Sequence, residues 1–287
     1  MKKTQEYITF LSPEFIYVPF DNMDKLIIPK NKMVLNNTLL GTRDDGTNIF
    51  SPVSGCIIGT KHTLYNGKTS NALVIENDFI DKREKLNPSK NINKVKKSDV
   101  TLSLGKYGLN KKISSKTTLV VNSLYNKKYD LKDVVINVES YEEILEAIDE
   151  FMDIFNMKTC YICMDRNDLY SINAYEKYIN AFLNICLVYS NKRFKDSNCV
   201  FYSIEEILAI HKAIHLDYMY DNTIVTINYN GKPTVVKVKL YSSLSELLKA
   251  LKIPYKSKRV YVNKIEIDEV DNFAIDASVR SIVIKER

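Results

Sequence analysis

Thr117–Asp133 reads TTLVVNSLYNKKYDLKD. It opens as a short β-branched apolar run, Thr117-Thr118-Leu119-Val120-Val121, and breaks into a polar loop at Asn122. An apolar run of this length with no helical period predicts a buried strand of a parallel sheet. Beyond the loop, Val134–Phe155 carries Ile144, Leu145, Ile148, Phe151, Met152 and Phe155 at spacings that fit one face of a helix. Strand, loop and helix make half of a βαβ unit. The loop falls at the carboxyl end of the strand, where α/β sheets take their ligands. Gly105-Lys106-Tyr107-Gly108, a tight Gly-x-x-Gly, stands just upstream, so a nucleotide or flavin handled by this chain belongs here.

Downstream the alternation continues. Thr159–Met164 and Ile185–Tyr189 read as strands, Ser171–Leu183 as helical, and Ile204–Leu216 as a further helix with Ser203 as its cap and Glu205 and Glu206 in its first turn. Strands alternating with helices predict a small, mainly parallel α/β domain over residues 115–221.

Upstream the pattern differs. Phe15–Val18, Leu26–Ile28, Thr38–Gly41, Gly55–Gly59 and Ala72–Glu76 are short strand-like runs separated by Gly, Asn, Asp and Pro, which implies a small all-β sandwich or barrel over 1–80. In Ser51-Pro52-Val53-Ser54-Gly55, Pro52 fixes φ and Gly55 frees the backbone for a tight bend. Residues 81–114 are charged and polar and read as a linker.

From Asn222 the strands Thr223–Asn228 and Thr234–Leu240 flank Asn230-Gly231, a strong hairpin signal. Ser242–Leu251 sets Leu244, Leu247, Leu248 and Leu251 on one helical face, and the strands Arg259–Val262 and Ser281–Ile284 follow. Hairpin, helix, then strands is the β-grasp order, assigned to 222–287. The predicted class is therefore α+β multidomain: barrel-sandwich hybrid, small Rossmann-like α/β domain, then β-grasp.

The 287 residues carry a formal net charge of +6 that is spread along the chain. Such a balance leans only slightly towards acidic partners, and Lys- and Asn-rich usage is also what a biased genome produces. No nucleic-acid partner is expected. No run approaches the ~20 apolar residues of a membrane span. Met1–Glu6 leads into no apolar signal region, so a cytoplasmic protein is expected, with peripheral association on a membrane complex left open.

Five cysteines, Cys56, Cys160, Cys163, Cys186 and Cys199, form an odd and scattered set that argues against a disulfide framework. Cys160-x-x-Cys163 falls on a strand, where positions three apart face opposite ways, so it reads as two structural thiols. It lacks the second pair of a zinc ribbon and the helix start of a thioredoxin motif. His211 and His215 are four apart on a helix and would fit a shared metal. Lys212, Ala213 and Ile214 between them are not the His-Glu-x-x-His of a metalloprotease, and ordinary packing histidines are the expectation. No catalytic residue and no metal set is assigned.

Pro29–Val34 leading to Asn37–Gly41, then Ser51–Gly55 and Ala72–Phe79, resembles the barrel-sandwich hybrid of the RnfC component of the Rnf electron-transport complex. The electron-transfer protein associated with proline reductase is an equally good match. Val120-Val121-Asn122, the Met164–Asn167 turn and Ala209–Ile214 fall where that family's middle domain has its sheet and closing helix. Ile275–Ile284 fits the closing strand of its soluble-ligand-binding β-grasp domain. No lysine stands at the hairpin tip where a lipoyl or biotin carrier is modified, so a swinging arm is not expected.

The resemblance implies a flavin site, shared distantly with the flavin-bearing subunit of respiratory complex I. That site uses a Gly-Gly-Ala-Gly-Phe-Pro loop, then an Asn, a pair of glutamates around Cys, and Pro-Tyr. Here Gly105, Gly108, Asn122 and Tyr129 match, whereas Lys106 and Tyr107 fill the loop and Asn110 replaces its proline. Tyr125 and Lys127 stand for the glutamates, and Lys128 for the second proline. Gly105, Lys106, Gly108, Asn122 and Lys127 thus mark a remnant flavin or nucleotide site. The plain alternative is a surface loop with solvated lysines. Full-length relatives continue into a ferredoxin-like module with Cys-x-x-Cys-x-x-Cys runs, and this sequence has none, so no iron–sulfur cluster of that type is expected.

Three readings follow. The first is a shortened RnfC-like protein without cofactor that docks onto protein partners in an electron-transfer or reductase complex. The second is an active NADH-linked subunit that holds FMN through an atypical loop. The third is a small-ligand sensor built on the β-grasp domain.

Overall fold

A computed structural model of the chain describes residues 8–65, 67–84, 116–124, 130–190, 196, 198–216 and 219–286. The protein is α+β and divides into two compact units, one made of residues 1–86, 128–130 and 221–287, the other of 87–127 and 131–220.

The amino-terminal part of the first unit supplies β1 (Ile8–Phe10), β2 (Phe15–Phe20), β3 (Lys25–Leu26), β4 (Met33–Val34), β5 (Leu39–Thr42), β6 (Asn48–Phe50), β7 (Gly55–Tyr65) and β8 (Lys68–Asn77). The second unit supplies β9 (Thr118–Ser123), α1 (Lys132–Phe155), β10 (Thr159–Met164), α2 (Leu169–Glu176), β11 (Ile185–Tyr189), β12 (Cys199–Ser203) and α3 (Ile204–Leu216). The chain then returns to the first unit with β13 (Asn222–Tyr229), β14 (Lys232–Lys239), α4 (Leu244–Ala250), β15 (Arg259–Val262), β16 (Ile265–Ile267) and β17 (Ser281–Lys285).

In the first unit a four-stranded sheet, β2-β8-β7-β4, and a three-stranded sheet, β3-β5-β6, share one apolar core of Ile16, Val18, Val34, Leu40, Ile49, Val53, Ile57, Leu73 and Ile75. Alternation along β2 explains the inward set, since Ile16 and Val18 are buried while Phe15 and Tyr17 are only half-buried. Gly55 is required by close approach: a Cβ there would fall 1.9 Å from the carbonyl oxygen of Glu76 on β8. A bulge between Ile57 and Gly59 then turns Ile58 outward.

The six-stranded sheet β1-β14-β13-β17-β15-β16 completes this unit. Its hairpin closes at Asn230 and Gly231, both with positive φ (52° and 75°), as a two-residue primed turn demands. β13 and β17 run parallel at its centre, and α4 buries Leu244, Leu247 and Leu248 against Val225, Val236, Val238 and Ile282. β1 adds to the outer edge, parallel to β14. Further ties join the amino- and carboxyl-terminal segments of the unit. Tyr17 N–H donates to Tyr241 O (2.9 Å), and Glu14 N–H donates to Glu246 Oε1 (2.6 Å). Residues 81–84, at the start of the stretch read as a linker, are tied to the same unit by Asn36 N–H to Lys82 O (2.8 Å) and Glu84 N–H to Asn36 O (2.7 Å).

The second unit is a parallel four-stranded sheet, β11-β10-β9-β12. The apolar stripe predicted for α1 is the buried one: Ile144, Leu145, Ile148, Phe151, Met152 and Phe155 all face inward. The helix is kinked at Ser140, whose φ/ψ of −130°/21° leaves the helical region, and it ends at Asn156 in the left-handed conformation. Among the described residues no helix is long and apolar enough to cross a membrane.

Candidate ligand site at the carboxyl edge of the parallel sheet

The chain steps outward from β9 through α1 to β10 and through α2 to β11, then returns to the far side of β9 as β12. The direction of winding therefore reverses between β9 and β12. In open α/β sheets the crevice outside that reversal is the ligand position. Asn122 stands there, level with Cys163 on β10 and Ser203 on β12. Its Oδ1 is buried and has no hydrogen-bond partner among the described residues. A buried acceptor left unpaired costs about 1–3 kcal/mol, so this atom is the best-defined feature of the remnant site. Gly105, Lys106, Gly108 and Lys127 lie outside the described residues, as do Tyr107 and Tyr125.

Around Asn122 the edge is polar and largely self-satisfied. Asn137, in the first turns of α1, donates to Ser123 Oγ (2.6 Å) and Ser171 Oγ (3.2 Å), and its Oδ1 accepts from Tyr175 Oη (2.9 Å). Burial pushes the Tyr175 phenol far above its ordinary range, so it stays a donor. Ser203 caps α3: its Oγ accepts from Glu206 N–H (3.2 Å), while Glu206 Oε2 takes the Ser203 N–H at 2.7 Å, a reciprocal capping box. The buried Lys132 at the start of α1 pairs with Glu205 at 2.5 Å, and Tyr220 also donates to Glu205. Asp165 accepts from the Asn167 backbone (2.8 Å) and Asp168 caps α2 through Ser171 N–H (3.1 Å). These acids serve turns and helix starts, although Asp168 Oδ2 is buried without a hydrogen-bond partner among the described residues. Among the described residues the edge thus offers two buried, unpaired acceptors, Asn122 Oδ1 and Asp168 Oδ2.

The other sequence candidates are also placed. Cys160 and Cys163 are both buried on opposite faces of β10, and Cys163 packs with Val120 and Cys199. Burial pushes the Cys163 thiol up to about 11 and that of Cys160 well above its ordinary value, so neither is a thiolate near neutrality. His211 and His215 share one face of α3, and both meet Glu150 of α1. Glu150 carries no signal in the sequence, because 61 residues separate it from His211. In the first unit a groove of about 620 Å³ runs along Tyr255–Arg259 and Glu266–Asn272. Its polar groups pair with one another, as Tyr255 Oη does with Asp271 (2.7 Å).

No family model matches the sequence, and no curated protein does. Solved structures do. A chain of an NAD+-reducing [NiFe]-hydrogenase in the H2-reduced state superimposes with a TM-score of 0.54 at 8% identity, over 70% of this chain and 49% of that one. A chain of such a hydrogenase in the air-oxidized state gives 0.48 at 9% identity, over 60% of this chain and 41% of that one. This chain therefore spans less than half the length of either, and the first of the two likenesses establishes a shared fold.

Proposed function

We propose that the chain is a docking or binding subunit of an electron-transfer system, of the RnfC type, whose flavin site has degenerated. The observation that carries this is the reversal point of the parallel sheet. It ends in Asn122, the residue the resembled family uses there, yet the edge around it is filled by internal pairs. In sequence the expected glutamates are Tyr125 and Lys127, and the glycine loop holds Lys106 and Tyr107. A phenol and cations at those positions oppose the seating of an isoalloxazine ring. The fold shared with an NAD+-reducing hydrogenase chain is consistent with descent from a nicotinamide-linked carrier. Its partners are then proteins of an electron-transfer or reductase complex.

The second reading, an active subunit holding FMN and reacting with NADH, is favoured by one observation: Asn122 Oδ1 is a buried acceptor without a donor among the described residues. A flavin or nicotinamide N–H would supply one. Gly105, Lys106, Gly108 and Lys127 are the further residues assigned to hold the group, and FMN would supply the electron-accepting ring.

Thermal melts of the purified chain with FMN and with NADH separate the two readings, since a ligand bound tightly to the native state must raise Tm. The docking reading expects colourless protein and no shift with either ligand. Yellow protein that releases flavin on denaturation, or a saturable Tm rise abolished by Asn122→Leu, overturns it in favour of the second reading.

A further inference from the structure

Glu150, His211 and His215 come together between α1 and α3, within the second unit, and their ligating atoms all lie within 4.8 Å of one another. His211 Nδ1 is 2.9 Å from Glu150 Oε2, and His215 Nε2 is 2.7 Å from Glu150 Oε1. The imidazole rings sit 4.3 Å apart at 44°. Oε1 is buried and takes no aligned hydrogen bond despite the nearby ring nitrogen. His211 hydrogen-bonds Glu150 Oε2 whereas His215 approaches Oε1 without alignment, and a cation among the three groups would satisfy that unpaired oxygen.

We propose that Glu150, His211 and His215 bind one divalent first-row transition ion, Zn²⁺ in character, that clamps α1 to α3. The donor set selects the class: two imidazoles and a carboxylate suit zinc, nickel or copper, whereas calcium and magnesium prefer all-oxygen shells. His residues four apart on one helix face the same way, and a carboxylate from the neighbouring helix completes a three-ligand site. The side chains stay partly open, at 17% exposure for Glu150 and 29% for His215, so a water can take the remaining position. Spacing along α1 sets Glu143, Glu146 and Asp153 on the Glu150 side of the helix, which lowers the potential for an arriving cation. Lys212, next to His211 on α3, is held 3.5 Å from Glu143. The chain runs from the carboxyl edge of the sheet along both helices before reaching these residues. They therefore lie towards the opposite edge from Asn122, and the inference is independent of the flavin reading.

The test uses the full chain stripped of metal by a chelator. Co²⁺ titration should develop ligand-field absorption that saturates at one equivalent, without a thiolate charge-transfer band, and Zn²⁺ should displace it and raise Tm. His211→Gln and His215→Gln should each weaken binding by more than about 100-fold, because losing even an outer partner of a ligand costs about 10–100-fold. His62→Gln and Cys186→Ser should leave it unchanged. In wild-type protein, Zn²⁺ should protect two of the three histidines from diethylpyrocarbonate, a readout that needs no variant to fold. No saturable binding, binding that survives in both histidine variants, or binding lost with Cys186 overturns the proposal.

Discussion

Lys239 Nζ lies 2.7 Å from Asp221 Oδ2 inside the first unit, and Arg83 reaches the same oxygen at 3.3 Å. The Asp221 side chain has no exposed surface, and that of Lys239 has 6%. Asn36 and Asn222 donate to the same carboxylate at 3.3 and 2.7 Å. The cluster ties residues near 36 and 83 to the strands that begin at Asn222. Removing one partner strands a charge in the interior, so Asp221→Ala should lower stability by roughly 3–5 kcal/mol. Lys239→Met on top of Asp221→Asn should recover part of the loss. Urea unfolding of the single and double variants checks both.

Gly55→Ala should destabilise the same unit by about 1–3 kcal/mol or more, the range for overpacking. Its new methyl group meets the Glu76 carbonyl at 1.9 Å, and backbone cannot rotate aside as a side chain would. Gly59→Ala is the control, since nothing lies within 4 Å of a Cβ there and its backbone is not left-handed. Circular dichroism melts of the two variants make the comparison.

Asn137→Leu should cost several kcal/mol, because Ser123, Ser171 and Tyr175 each lose their partner and each buried orphan costs about 1–3 kcal/mol. Asn137→Asp should be milder only at acidic pH, where a protonated carboxyl keeps an acceptor for Tyr175, since near neutrality it buries a charge. Chemical denaturation of both variants decides the order.

Thiol chemistry should be graded by burial. Cys186 is exposed and should react first with Ellman's reagent; Cys160, Cys163 and Cys199 are buried and should wait for unfolding. Burial pushes the Cys163 thiol up to about 11, so it stays mainly protonated at pH 7 and at pH 9, and its modification should lag behind that of Cys186 at either pH. Cys186→Ser should delete the fast phase alone.

Glu246 gives a pH dependence with a definite sign. Burial pushes its carboxyl up, more than the Glu14 and Phe15 N–H donors and Lys249 pull it down. A carboxyl raised on folding contributes stability that is full below the ordinary glutamate range and fades as pH climbs through the raised value. Glu246→Gln should therefore melt higher than wild type at neutral pH, and the gap should close on acidification. Paired melts across that range measure it.

The strand at Thr118–Ser123, the stripe on α1, the Asn-Gly hairpin and the Ser203 cap are legible because each is a local pattern whose period or turn chemistry is written in consecutive residues. β12 is not, although it sets the reversal point: Cys199–Ser203 is five residues long and runs straight into a helix, so no turn signal marks it. β1 escapes for a related reason, being three residues with two of them exposed. The kink at Ser140 leaves the apolar stripe beyond it intact and so goes unannounced. Asn122 is found through its place at the strand end, whereas the meeting of Glu150 with two histidines is a tertiary fact that no window of sequence contains.

Because β1 lies on β14 and Glu14 reaches Glu246, 232 residues on, the first unit depends on contacts of very long sequence separation. A nascent chain leaving the ribosome presents the second unit whole while the central strand β17 is still unsynthesised. The parallel sheet can thus fold early from near neighbours, and the discontinuous unit closes last and most slowly.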